Sequence, residues 1–316
     1  MSKDKIKGGL YGMLIGDAAG VPYEFKRPAS IPKEAPLPNL DVPEGYGRTY
    51  ADVPTGTWSD DGAQALCLVS ALMQPPDTHG HGPSGQKLIN ALGRKLLDWR
   101  SQGYMTPDGK VFDIGIQTQT ALEAIVFNQP VYASVNSNGN GSLMRTLPIA
   151  LFYDDPTDIV CMAYHQSSVT HPHGWSMAAC ALYCLFARGL FTMDKYEAWD
   201  WAVEAAKKEI PFFDPEQGIN SLDRILQGQH EEPTGSGFVV NSLWSALTAF
   251  FRNPSYEEVI RDAIQFGDDT DTTACIAGGL AGVFYGLDNI PDSFMVALKG
   301  RAMIDPMIKT FATMCK

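Results

Sequence analysis

Long apolar runs are missing from this 316-residue chain. No uninterrupted stretch is long enough to span a bilayer, and the start, Met1 to Lys5, lacks the apolar core of a secretory signal. No membrane association is therefore expected, and the cytoplasm is the expected location. Blocks of Lys and Arg are missing too. With 24 basic against 36 acidic residues and a formal net charge of −12, no segment is suited to displace the counterions of a nucleic-acid backbone. Small molecules and proteins are the expected partners. The six cysteines (Cys67, Cys161, Cys180, Cys184, Cys275 and Cys315) sit mostly among apolar neighbours. They lack the short paired spacings of zinc sites and disulfide frameworks, so reduced, buried thiols are expected. Linkers, low-complexity tracts and fixed-interval repeats are also absent, which favours one large domain over residues 1–316 and disfavours a solenoid. A monomer is the expected state.

What is present is helical periodicity. Ile6, Leu10, Met13 and Leu14 keep a helical spacing, while Gly8, Gly12, Gly16 and Gly20 leave a bare stripe that admits another backbone. Pro22 is expected to end this helix and to place Glu24 in the loop that follows. Residues 25–56, rich in Pro and Gly, read as a long functional loop. A helix follows through Ala63, Leu66, Cys67, Ser70 and Met73, ended by Pro75-Pro76. A Gly/His/Pro stretch to about residue 85 precedes another through Leu88, Leu92, Leu96 and Trp99. Further helices are expected over 118–127, 143–152, 158–167, 175–186, 196–208, 237–251, 256–266, 273–285 and 292–315. Alternating strand patterns are scarce, so the class is all-α.

Two polar stretches stand against this apolar background. Gly267-Asp268-Asp269-Thr270-Asp271-Thr272 crowds three carboxylates and two hydroxyls before an apolar run, and Thr57-Trp58-Ser59-Asp60-Asp61-Gly62 repeats the chemistry far upstream. Helix capping explains one acid at each place. It does not explain adjacent acids, which repel one another unless a cation neutralises them. Oxygen-only donors select a hard ion such as Mg²⁺ or Mn²⁺ over zinc, and calcium is disfavoured because the Gly and the closing Glu of an EF-hand loop are missing. Together the stretches offer enough donors for two metals, on the expectation that they meet in space.

With Gly16-Asp17-Ala18-Ala19-Gly20-Val21-Pro22-Tyr23-Glu24, the two stretches resemble the signature of the ADP-ribosylglycohydrolase family. The resemblance runs nearly end to end, through Phe112-Asp113-Ile114-Gly115, Gly139-Asn140-Gly141-Ser142-Leu143-Met144-Arg145, Thr170-His171, Ser236-Gly237-Phe238-Val239-Val240 and the helix from Ala274 to Gly282. It implies a compact orthogonal multi-helix bundle with a binuclear Mg²⁺ or Mn²⁺ centre in a cleft. By matching position, Ser59, Asp60, Asp61, Asp269, Asp271 and Thr272 are the implied ligands. Ser59 stands where many members have Thr, and Gly62 departs from the Thr that often follows the paired acids.

The resemblance also implies a substrate cleft. Asn138-Gly139-Asn140-Gly141-Ser142 reads on its own either as an Asn-Gly turn or as a loop whose backbone N–H groups hold phosphate. The resemblance favours the second, with Asn140, Gly141 and Ser142 at the diphosphate of ADP-ribose, His171 near the ligand, and Gly237 and Phe238 beside the adenosine. Arg145 either adds charge there or braces the cleft from behind. Asp113 either touches substrate or caps the helix after it. The implied reaction hydrolyses the bond between ADP-ribose and a modified acceptor, most simply arginine on a protein. Asp60 or Asp61 is the preferred acid/base, and Glu24 is a mobile glutamate near the first metal. A non-catalytic ADP-ribose-binding or partner-occluding relative, or a hydrolase of a serine, nucleic-acid or small-metabolite linkage, is the alternative.

Overall fold

The computed structural model describes residues 2–75 and 82–315. The described residues contain α-helices, short 3-10 turns and loops, with no β-strand. In chain order the helices are α1 (Lys3–Gly20), α2 (Asp60–Leu72), α3 (Gly85–Gln102), α4 (Ile116–Val126), α5 (Leu147–Phe152), α6 (Pro156–Ser168) and α7 (Gly174–Gly189). They continue as α8 (Lys195–Phe213), α9 (Gly218–Gln227), α10 (Val239–Arg252), α11 (Tyr256–Gln265), α12 (Thr270–Tyr285), α13 (Asp292–Ala297) and α14 (Arg301–Met314). The all-α class read from the sequence is the class observed. Among the described residues, no helix is long and apolar enough to cross a membrane.

The centre of the molecule is the pair α1 and α12. Both are buried along nearly their whole length. They pack at backbone distance because glycines face each other: a Cβ at Gly12 would strike the Gly278 carbonyl, at Gly16 the Ala274 carbonyl, and at Gly20 the backbone of Asp271. The bare stripe read from the sequence is thus the seam of the two helices. The Tyr256 hydroxyl donates to the Gly12 carbonyl at 2.7 Å and pins α11 to the pair. Around it, α2, α5, α7 and α10 contribute much of the core, including Leu66, Leu68, Ile149, Leu182 and Phe250.

Several boundaries differ from those expected. The segment 292–315 is two helices, because Gly300 adopts a φ of +69° and turns the chain between them. Helix α9 was not anticipated; of its apolar residues Leu222 and Ile225 are buried, Leu226 packs against the core and Ile219 is exposed. Residues 141–145 form turns, so α5 starts at Leu147 instead of 143. Helix α8 continues to Phe213 through Pro211. The loop 25–56 has no α-helix, as expected. The Gly/His/Pro stretch between Pro75 and Gly85 lies in part outside the described residues. Four of the cysteines are buried, Cys161 and Cys315 are half-buried, and all six are free thiols.

Candidate active site

The ends of three helices converge at one place. Helix α1 delivers Asp17 one turn before its C-terminus, α2 starts with Asp60 and Asp61, and α12 starts at Thr270 with Asp271 and Thr272 behind it. Asp17 accepts the backbone N–H of Ser59 at 2.8 Å and that of Gly62 at 2.7 Å, and so fixes the turn that opens α2. This explains Gly62, where a Cβ would crowd Leu14, the Asp17 carboxylate and Trp58. Ser59 caps α2, its hydroxyl accepting from the Asp61 N–H at 3.3 Å. Thr270 ties α12 to the end of α1, its hydroxyl donating to the Gly20 carbonyl at 2.8 Å.

The two acidic stretches are in direct contact. The Thr272 hydroxyl donates to Asp61 Oδ1 at 3.2 Å across 211 residues of sequence. Carboxylate oxygens of Asp17, Asp61 and Asp271 lie within 4.8 Å of one another, as do those of Glu24, Asp113 and Asp271. Asp271 is common to both groups. Glu24 reaches this centre because Phe25 and Lys26 pair with Asp268 through backbone bonds of 2.6 and 2.9 Å. The pairing puts Phe25 and Asp268 at φ values of +60° and +56°, a left-handed conformation that is tolerated at Asp more readily than at Phe.

Burial and mutual repulsion push every acid of the centre upward. Asp60, Asp61 and Asp271 lie well above the usual carboxylate range, first because they are desolvated and then because neighbouring carboxylates repel. Asp17 is pushed up to about 7 and Glu24 to about 9, again chiefly by burial. Asp61 Oδ2 and Glu24 Oε2 have no hydrogen-bond partner. Among the described residues no basic side chain pairs with the group: the buried Arg145 bonds to Gln64, Gln166 and Thr170, not to a carboxylate. Clustered anions, orphaned oxygens and an all-oxygen donor set fit a hard divalent cation, so the residues present could hold metal.

Above the acids opens a cleft of about 270 Å³ whose wall includes Glu24, Asp60, Asp113, Asp269 and Thr272. Asn140, Gly141, His171 and Gly237 line it as well. Asn140 bridges, its Nδ2 donating to Asp269 Oδ2 and to the Ser242 hydroxyl at 2.8 Å each. A short backbone pairing between Gly139 and Phe238, with Asn140 N–H to the Gly237 carbonyl at 3.1 Å, holds both glycine segments in the wall. Ser59, Asp61 and Asp271 lie beneath, buried in the floor.

One of the expected cleft residues is elsewhere. Ser142 points into the core, bonding Ser167 at 2.8 Å and Cys180 at 3.5 Å, because the turn after Gly141 carries it behind the wall. The half-buried Phe238 ring packs beside Trp175, ring centroids 5.9 Å apart, and under the Arg224 guanidinium, next to Gly237 of the cleft wall. Arg145 braces the cleft from behind. His171 is buried and neutral, pushed down to about 3 by desolvation and then by Arg145. The Thr170 hydroxyl accepts from Arg145 Nη2 at 2.8 Å and contacts His171 Nδ1 at 2.8 Å. The Nε2 side of the ring faces Gly141. Asp17 and Gln64 were not assigned roles from sequence. Asp17 sits inside a recognised motif, but its bond to the Ser59 turn spans 42 residues and no local pattern shows it.

Comparison with known proteins fits this geometry. The family model described as ADP-ribosylglycohydrolase matches residues 1–316. An ADP-ribosylarginine hydrolase Tri1 of Pseudomonas putida (strain GB-1) is 30% identical over 298 residues, covering 92% of this chain and 73% of the relative. An ADP-ribosyl-[dinitrogen reductase] glycohydrolase of Rhodospirillum rubrum is 24% identical over 93% of this chain and 90% of its own length. A solved structure titled ADP-ribosylglycohydrolase-related protein complex superposes with a TM-score of 0.71 at 25% identity, covering 99% of both chains. The chain is a member of the ADP-ribosylglycohydrolase family.

Proposed function

We propose that this protein hydrolyses the glycosidic bond between ADP-ribose and an acceptor, with arginine of a modified protein as the acceptor. The observation that carries this reading is the meeting of Asp61 and Thr272 at the floor of a cleft walled by Gly139–Gly141 and Gly237. The relatives named for ADP-ribosylarginine and ADP-ribosyl-[dinitrogen reductase] support the acceptor class. Two Mg²⁺ or Mn²⁺ ions would be held by Ser59, Asp60, Asp61, Asp269, Asp271 and Thr272. What such ions supply when bound is charge to polarise the ribose hydroxyls and to acidify water.

The chain's own groups divide the remaining work. Backbone N–H groups around Gly141, with His171 as a neutral donor, hold the diphosphate without adding a mobile charge. Carboxylates around the ribose stabilise the positive charge that grows on the ring as the bond breaks. The C–N bond to the guanidinium breaks, the hydroxyl of water forms the new C–O bond at the anomeric carbon, and the leaving nitrogen gains a proton for the one that water gives up. In this reading Asp60 takes the water's proton, with Oδ2 accepting from Gln64 and Oδ1 left for the cleft. Glu24, beside Asp113, gives its own proton to the leaving nitrogen and is reprotonated after turnover by the one Asp60 took up.

The test is release of ADP-ribose from ADP-ribosyl-arginine in Mg²⁺ or Mn²⁺, and its loss on chelation. Turnover of a serine or nucleic-acid linkage in place of arginine would overturn the acceptor. ADP-ribose binding without turnover of any linkage would overturn the hydrolase.

A further inference from the structure

The mouth of the cleft is lopsided. Between Val111 and Met144 the only charged residues are Asp113 and Glu123, and there is no Lys or Arg, in a chain where charged residues make up 19%. This segment also carries the densest set of exposed large apolar side chains in the described structure. Ile116 is 87% exposed, Phe127 73%, Tyr132 77% and Val135 82%. A helix of a soluble protein ordinarily turns its polar face outward. Helix α4 instead shows solvent Ile116 at its start and Val126 and Phe127 at its end.

This surface runs into the cleft without a break. Ile116 and Gln117 belong to the cleft wall. Gln117 Nε2 donates to the Tyr132 carbonyl at 3.3 Å and to the Thr170 carbonyl at 2.8 Å, which ties the loop after α4 to the strip that carries His171. The outer side of α4 and that loop enclose a groove of about 430 Å³ lined by Thr120, Phe127, Pro130 and Tyr132 among others. On the far end the same loop leads through Val135 into Gly139. Apolar patches of this kind, bordered by polar residues, mark protein contact sites.

Resting on the hydrolase reading above, we propose that the face formed by α4 and residues 127–138 seats the polypeptide that carries the ADP-ribosyl group. Two features select that occupant. The group to be cleaved lies at the depth of Glu24 and Asp60, and even an extended arginine side chain keeps its own backbone within a few ångströms of the opening. The acceptor's backbone must therefore come to the mouth and touch whatever borders it. The charge also matches: a rim whose charged groups are acids, with no Lys or Arg, attracts a cationic guanidinium side chain presented from an apolar surface.

The test compares two substrates. Wild type, Phe127→Glu and Val135→Glu are assayed on a protein bearing ADP-ribosyl-arginine and on free ADP-ribosyl-arginine. Neither residue lines the cleft, and both are exposed, so the fold tolerates the changes. The expected result is a fall in kcat/KM on the protein of about tenfold or more, carried by KM, with free ADP-ribosyl-arginine turned over as by wild type. Unchanged kinetics on the protein would overturn the proposal, as would equal losses on both substrates. If wild type dimerises in sedimentation and Phe127→Glu abolishes that, the face joins copies of this chain and the proposal falls. A wild type inactive on both substrates would instead remove the hydrolase reading, and this proposal with it.

Discussion

Arg145 and Asp60 are linked by a single side chain: Arg145 Nη1 donates to Gln64 Oε1 at 2.8 Å, and Gln64 Nε2 donates to Asp60 Oδ2 at 2.8 Å. The guanidinium is fully buried and reaches the opposite wall as well, through Thr170 to His171. One cation thus orients a carboxylate and an imidazole without pairing with an acid. Cutting the link at Gln64 leaves Asp60 in the cleft but free to rotate. Gln64→Leu is expected to lower kcat by about 10- to 100-fold, the range for losing a group that orients a metal-binding carboxylate, with little change in ADP-ribose affinity. Steady-state kinetics beside calorimetric ADP-ribose binding separates the two. Full activity in Gln64→Leu would show that Asp60 holds its position unaided.

The acids at the floor trade stability for metal. Asp61 carries an orphaned oxygen and sits among like charges, so the metal-free protein is strained there. Asp61→Asn removes one charge and is expected to raise the melting temperature measured in chelator. The same variant should lose the stabilisation that Mn²⁺ or Mg²⁺ gives wild type, about 2.7 kcal/mol at a hundredfold excess over Kd. Thermal melts of both proteins, with chelator and with metal, check the pair of effects. A variant that melts lower in chelator and still responds to metal would contradict it.

The helices and the acidic stretches could be read because their signals are local. A helix shows in its period, and adjacent acids show in neighbouring letters. What could not be read depends on contacts between distant segments. Asp17 takes its meaning from backbone groups of Ser59 and Gly62, and Gln64 takes its meaning from Arg145 on the other side of the core. Ser142 belongs to the expected phosphate loop by letter, yet a single turn carries its side chain to Ser167. Helix α9 was missed although its signal is local: Ile219, Leu222, Ile225 and Leu226 keep a helical spacing over ten residues.

The seam of α1 and α12 makes a glycine as consequential as a ligand. At Gly16 a Cβ would collide with the Ala274 carbonyl, and backbone cannot rotate away as a side chain does. Gly16→Ala is expected to force the helices apart at a cost of about 1–3 kcal/mol or more. Asp17 follows it directly in sequence, so metal affinity should fall too. Gly47→Ala is the control, since a Cβ there meets nothing within 4 Å. Denaturant midpoints should separate the two variants, and equal midpoints would mean that the seam yields.

Metal-free protein should become less stable as pH rises, the reverse of the usual carboxylate behaviour. A group whose folded pKa is raised contributes stability that is fully present below its unfolded value and lost as pH climbs through the folded one. Asp17 moves from 3.8 to about 7 and Glu24 from 4.5 to about 9, with Asp60, Asp61 and Asp271 raised in the same sense. The loss therefore spreads from about pH 4 to about pH 9. A divalent ion binds the deprotonated acids, so the metal-induced gain in melting temperature should widen over the same window. His171 opposes this trend below about pH 6.5: pushed down to about 3, it stays neutral in the fold while the unfolded imidazole binds a proton, so its contribution rises with pH up to there, but one such group is outweighed by the five raised acids. Melting temperatures in chelator that hold steady or rise between about pH 5 and about pH 9 would show that the acids do not repel in the folded state as their burial requires.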